Sequence, residues 1–201
     1  MYYLPKILKK LKPSSKKNVK LDKNSKVLGG CTLLNVTVGR YSYIGMDTSV
    51  VNTNIGSFCS IAGNCMIGGG EHPIHFVSTS PVFHQGTNCL KTNFAANEFE
   101  PFRRTDIGND VWIGARCLIK GGVSIGTGAV IGMGSVVTHD IPPYEIWAGN
   151  PAHFIKKRFE NSFINAILDS EWWTLDEEWL RMMGEYFSEP PVFLRNVNKK
   201  L

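Results

Sequence analysis

The sequence has no apolar run near the roughly 18 residues that a membrane-crossing helix requires, and its N-terminus is too lysine-rich and too short of apolar length to read as a secretory signal. A protein of the cytoplasm is the resulting expectation. No CxxC pair occurs among the five cysteines, so neither a zinc ribbon nor a redox motif is indicated. Cys31, Cys59, Cys65 and Cys117 each stand four residues after a Val or Ile of a repeating series, where a small buried side chain is needed. They read as core residues of a reducing compartment, with Cys89 apart in a loop. No basic stripe with interleaved aromatics runs along the body, which argues against nucleic acid as a partner. Histidine is scarce, yet three of the five (His72, His75 and His84) fall within thirteen positions.

The net charge of +5 is unevenly spread. Residues 1–26 hold nine lysines and a single acid, Asp22, so that +8 sits on the arm and −3 on the remainder of the 201 residues. Within the arm Leu4, Ile7, Leu8 and Leu11 share one helical face with lysines opposite. Such a segment could rest weakly on an anionic membrane surface through residues 1–17, leaving the protein peripheral to the inner face. The plainer reading is a short helix covering the end of the domain.

From Val38 onward the chain advances in steps of six. Val38-Gly39, Ile44-Gly45 and Val50 are followed by Ile55-Gly56, Ile61-Ala62 and Ile67-Gly68, with a five-residue step between Val50 and Ile55. The series resumes at Ile107-Gly108, Ile113-Gly114, Ile119, Ile125-Gly126, Ile131-Gly132 and Val137. The fifth place of each unit is usually small, as at Ser42, Thr48, Ala129 and Ser135. A short strand followed by a corner produces this pattern; alternation and helical periodicity do not. The fold expected is mainly β, a parallel β-helix of hexapeptide repeats over residues 27–150, with an insertion at about 72–105 and a C-terminal helical segment at 151–201. Phe159, Phe163, Ile164, Ile167 and Leu168 share a helical face, and Thr174 with Glu177 resembles a capping box. These helices are expected to cover the end of the coil stack.

The insertion is rich in Pro, Asn and Phe, and a loop of that length in a compact domain is functional or disordered; its aromatics argue for order. "HPIHFVSTSPVF" from His72 and "IGNDVWIGARCLIKGGVSIGTGAVIGMGSVVTHDIPPYEIWAGNPAHFIKKRF" from Ile107 resemble the xenobiotic acetyltransferases. That branch of the hexapeptide-repeat acyltransferases holds the chloramphenicol and streptogramin enzymes and related glycan O-acetyltransferases. The likeness spans roughly residues 36–180. It implies a left-handed coil and a homotrimer with active sites between subunits.

The same resemblance implies acetyl-CoA as donor and His72 as general base. An acceptor hydroxyl is a poor nucleophile, and a neutral imidazole can take its proton as it attacks a thioester. A base of this kind contributes roughly 10²–10⁴ in rate. The oxyanion that forms needs a donor, and the backbone amides at Gly114 and Ala115 are the candidates. By position, Trp112, Gly114, Ala115, Met133, Ser135 and Thr138 would line the CoA groove, and Lys156, helped by Lys157 and Arg158, would face phosphate. Many relatives carry a basic residue where this chain has His139. Glu71, Glu98, Glu100 or a backbone carbonyl could orient His72, while His75 and His84 read as substrate-wall or solvated residues. The acceptor implied is a sugar hydroxyl of a glycan or a small antibiotic. Acetylation of a sugar amine and an inactive binding scaffold are the alternatives. A zinc enzyme of the γ-carbonic-anhydrase type needs histidines on the coils; none lies between Val27 and Ile67 or between Ile107 and Val137, and no metal is expected.

Overall fold

A computed structural model describes residues 12–197. The chain winds as a parallel β-helix. Its first turns comprise β1 (Ser15–Leu21), β2 (Lys26–Val27), β3 (Thr32–Val38), β4 (Tyr43–Ile44), β5 (Ser49–Ile55), β6 (Ser60–Ile61) and β7 (Met66–Ile67). After the insertion come β8 (Thr105–Ile107), β9 (Trp112–Ile113), β10 (Leu118–Ile119), β11 (Ser124–Ile125), β12 (Val130–Ile131) and β13 (Val136–Val137). β14 (Glu145–Gly149) ends the stack, and β15 (Ala152–Lys157) pairs with it antiparallel.

One face stacks β2, β4, β6, β9, β12 and β14. A second stacks the first halves of β1, β3 and β5 with β7, β10 and β13; their second halves, with β8 and β11, form the third. Inward side chains therefore stand in columns. Ile44, Ile61, Ile113 and Ile131 are fully buried, each worth about 1.5–3 kcal/mol of apolar transfer. Cys31, Thr48, Cys65, Cys117 and Ser135 fill one inner corner. All five cysteines are free thiols, and Cys89 alone among them is exposed.

The coiling starts at Ser15 rather than at residue 27, since β1 pairs residue for residue with β3. The five-residue step is explained by the same strands. Asn18, Asn35 and Asn52, at φ 53°, 55° and 47°, turn one corner of three consecutive coils with a residue fewer than a full unit. Asparagine tolerates the left-handed region better than other side chains, and Asn18 Nδ2 donates to Asn35 Oδ1 at 3.0 Å. The amphipathic face of Leu4 to Leu11 lies outside the described residues.

The C-terminal helices are α1 (Asn161–Asp169), α2 (Glu177–Met183) and α3 (Pro190–Val197). They do not close the end of the stack as expected but run back along one edge of it. Tyr144, Ile164, Ile167, Trp172, Trp179 and Phe193 form a second core. The Phe58 ring lies tilted against Trp172 with centroids 4.8 Å apart, Arg40 donates to the carbonyl of Trp173 at 2.8 Å, and Glu177 accepts from Asn24. The cap of α2 is Asp176, which accepts from the Trp179 amide at 2.8 Å; Thr174 sits in the preceding 3₁₀ turn. Among the described residues no helix is long and apolar enough to cross a membrane.

Candidate active site

The insertion leaves the coil at Gly68, where a φ of +72° and a Cβ that would fall 2.1 Å from the Val51 carbonyl oxygen require glycine. Its two ends are held together. The Glu71 amide donates to Pro101 O at 2.7 Å, and the Glu71 carboxylate meets Lys120 and Arg103, each at 2.8 Å. Lys120 first, then Arg103, hold that carboxyl below the usual range. Asn52 donates to the Phe102 carbonyl, so the corner column also anchors the loop. Within the loop, asparagine amides replace a strand ladder: Asn93 donates to His84 O at 2.7 Å, and Asn97 to Phe83 O at 2.8 Å.

His72 is exposed, four residues beyond Gly68. Its Nδ1 lies 2.8 Å from the carbonyl of Thr79. A carbonyl only accepts, so Nδ1 is the donor of this contact, and in the neutral ring Nε2 is then the acceptor nitrogen. The orienting group is thus a backbone carbonyl, and Glu71 is occupied by its own cations. His84 is neither solvated nor a wall residue: it is 7% exposed, bonded to Gln85 O at 2.9 Å and packed on Phe99. His75 is exposed and sits edge-on to Phe76 at 4.8 Å. Shortly after His72 the loop turns Ile74 and Val77 to solvent, and farther along it Phe94.

The other expected site residues divide. Trp112 and Met133 are 56% and 80% exposed on the outer surface of successive coils. Between them lie Gly114, whose amide is taken by Ile131 O at 2.8 Å, and Ala115, for whose amide no partner is found among the described residues. Of the two suggested oxyanion donors only Ala115 is open. Ser135 is fully buried, donating to Gly132 O at 2.6 Å and accepting from Gly149 N at 3.2 Å, so its side chain cannot line a groove. Thr138 is half-buried with its hydroxyl 2.9 Å from His139 Nδ1.

Lys156 is exposed, with no carboxylate partner among the described residues, while Lys157 reaches Asn161 at 2.7 Å. Arg158 is committed elsewhere. It donates to Gly128 O at 2.7 Å and to Asp110 at 3.2 Å, and lies over the Tyr144 ring at 5.1 Å. It is a strut between the coils and the C-terminal segment, not a ligand for phosphate. Among the described residues no group of three His, Cys, Asp or Glu could hold a metal.

Ala115 and Met133 stand at the edge following β9 and β12, with Trp112 in β9 itself, whereas His72 and Thr138 stand at the edge following β7 and β13. One chain does not bring the two sets together. The clamp of Glu71, Arg103 and Lys120 and the Thr79 carbonyl were missed from the sequence, because they link residues up to 49 positions apart or use the main chain.

Residues 104–139 match the family described as bacterial transferase hexapeptide (six repeats). A chloramphenicol acetyltransferase of Agrobacterium fabrum is 37% identical over 166 residues, covering 73% of this chain and 79% of that protein. A probable macrolide acetyltransferase of Lysinibacillus sphaericus is 41% identical over 127 residues, 62% of this chain and 70% of that protein. Among solved structures, the polySia specific acetyltransferase NeuO superposes with a TM-score of 0.54 at 27% identity, over 78% of this chain and 70% of that one.

Proposed function

The chain belongs to the hexapeptide-repeat acetyltransferases, and on that premise we propose that it transfers acetyl groups from acetyl-CoA to a hydroxyl, with His72 as general base. The acceptor is a sugar of a glycan or a small antibiotic, the classes named for its relatives. The observation that carries this reading is the Nδ1 contact to Thr79 O, which selects the neutral-ring tautomer that leaves Nε2 as the acceptor. Nε2 takes the hydroxyl proton as that oxygen attacks the thioester carbon, and returns it to the departing sulfur. The Ala115 amide donates to the carbonyl oxygen as charge builds on it.

The residues suit the donor. Trp112 and Met133 offer apolar surface to a pantetheine arm, and Lys156 offers phosphate a cation that has no carboxylate partner among the described residues. Base and donor residues on different edges favour a homotrimer, in which the insertion of one copy reaches the Trp112 edge of the next. The outward Met66 and Leu118, in register, and the loop's Ile74 and Val77 are apolar surface that such an assembly would cover. On this reading the protein works in the cytoplasm.

The test is release of free CoA over a panel of chloramphenicol, a macrolide, nucleotide sugars and glycans. His72→Ala should lower turnover by about a hundredfold or more while acetyl-CoA affinity holds. Undiminished turnover in that variant would sink the assignment.

A further inference from the structure

The acetyl-transfer chemistry gives no role to the asparagine column, which lies on the same edge from which the insertion bearing His72 departs. Two adjoining depressions, of about 500 and 340 Å³, flank Asn18, Asn35 and Asn52. The floor of the larger is apolar, formed by Leu34 and Val51, and Lys17, Glu100 and Phe102 rise around it. The smaller adds Lys20 and Arg104. Hydrogen bonds within the column use only the Asn18 and Asn52 amide nitrogens and one oxygen of Asn35. Among the described residues the Asn35 amide nitrogen and the Asn18 and Asn52 amide oxygens have no hydrogen-bond partner, so the residues lining the groove hold a free donor between two free acceptors at strand spacing. Sugar hydroxyls, which both donate and accept, match such a row.

The charge is one-sided. Among the described residues Lys17, Lys20 and Arg104 have no carboxylate within ion-pair reach, although Arg104 donates to Asn54 Oδ1; Glu100, which accepts from the Phe102 amide at 2.9 Å, is the one acid in the lining, so three cations face one carboxylate. Phe102 is 49% exposed and supplies a single ring face. One aromatic among amides fits a pyranose better than a nucleic acid strand, which calls for successive stacking rings. The groove also leads to the base. The Phe102 ring lies against Gly70, where an added Cβ would be 3.0 Å from it, and Gly70 is two residues before His72.

We propose that this groove is an acceptor subsite for an anionic glycan, a sugar chain bearing carboxylates or phosphates that lies along the asparagine column with its reacting hydroxyl toward His72. The proposal rests on the acetyl-transfer reading for the last clause only. Binding is therefore measured without acetyl-CoA, by fluorescence anisotropy of a labelled oligogalacturonate hexamer on the full chain at about 0.1 M salt. Labelled maltohexaose serves as the neutral control. Lys17→Glu/Lys20→Glu, both at exposed positions, should weaken the acidic probe about tenfold or more. Maltohexaose should bind far more weakly to wild type and be indifferent to the reversals. Equal binding of the two sugars, indifference of the acidic probe to both reversals, or displacement of that probe by CoA alone would overturn the subsite. So would a single-stranded oligonucleotide of equal charge that binds as tightly with the same sensitivity. Failure of CoA release with every acceptor, by contrast, would remove the acetyl-transfer reading and leave this measurement standing.

Discussion

Replacing Arg158 by methionine separates a strut from a phosphate ligand. Methionine keeps much of the aliphatic length but loses the guanidinium that lies over the Tyr144 and Phe159 rings and donates to Gly128 O at 2.7 Å and to Asp110 at 3.2 Å. A hydrogen bond from a charged group contributes about 1.5–3 kcal/mol. The ion pair, with about a third of each side chain reaching solvent, adds at most about 1 kcal/mol, and the cation–ring contacts about 0.5–1 kcal/mol. These overlap, so a loss of roughly 2–4 kcal/mol is expected, a fall in Tm of roughly 5–15 °C for a chain of this size. The loss should depend on pH. Burial, only partly offset by Arg158, lifts the Asp110 carboxyl above its ordinary value. The native state then keeps this proton at pH values where the unfolded chain has released it. Stability from this group accordingly declines from about pH 4 up to the raised native pKa. Without Arg158 that pKa rises further, the window widens, and the deficit should be larger at pH 8 than at pH 5. Asp110→Asn in the same background should recover part of it at pH 8. Thermal denaturation at both pH values, with the Michaelis constant for acetyl-CoA, is the assay. An unchanged Tm with a tenfold higher Michaelis constant would refute the strut and restore the phosphate role.

Lys156→Ala should do the reverse, raising the Michaelis constant for acetyl-CoA with Tm unmoved; a change in turnover alone would deny it the phosphate. Gly68→Ala puts a Cβ 2.1 Å from the Val51 carbonyl at a left-handed φ, which should cost roughly 2–4 kcal/mol and displace the insertion; heat denaturation and CoA release would both register it. Of the five thiols only Cys89 is exposed, and burial pushes the Cys59 thiol up to about 11. A disulfide reagent should therefore titrate one cysteine per native chain and all five after denaturation, and rapid reaction of a second native thiol would contradict the core assignment.

The columns of Ile44, Ile61, Ile113 and Ile131 were legible because each inward place has to be filled by the same kind of side chain on every coil. Where that necessity lapses, so did the reading. Lys16 stands in register with Leu33 in the first coil, at the end of the stack, so an aliphatic is not required and the coil looked like a basic arm. The step between Val50 and Ile55 looked like an irregularity, although Asn18, Asn35 and Asn52 repeat at an interval of 17 and could have shown it to be a designed corner. His72 was legible as the point where the repeat breaks. Its partner was not, since a main-chain carbonyl leaves no residue type to search for. Ser135 was misplaced on a groove even though it occupies the same small-residue column as Cys65 and Cys117, which already pointed it inward.

The three edges of the prism carry different burdens, and that division bears on how a repeat so uniform can hold one site. Along one edge Phe58, Asp110 and Tyr144 are covered by the chain's own C-terminal helices, so that edge is closed to ligand. The edge with Trp112, Ala115 and Met133 keeps plain six-residue units, and its exposed apolar side chains and one open amide are as regular as the coil beneath them. The edge with the asparagine corner is the one where the coil already departs from six, and there the chain leaves for the insertion that bears His72. A corner held by side-chain amides tolerates that departure, because Asn52 can bond to the returning loop at Phe102 as readily as to another coil. On the proposed reading the donor is held by the invariant edge and the acceptor by the variable one. Changes in Lys17, Lys20, Phe102 and the loop could then alter the acceptor without disturbing the aliphatic columns that hold the fold.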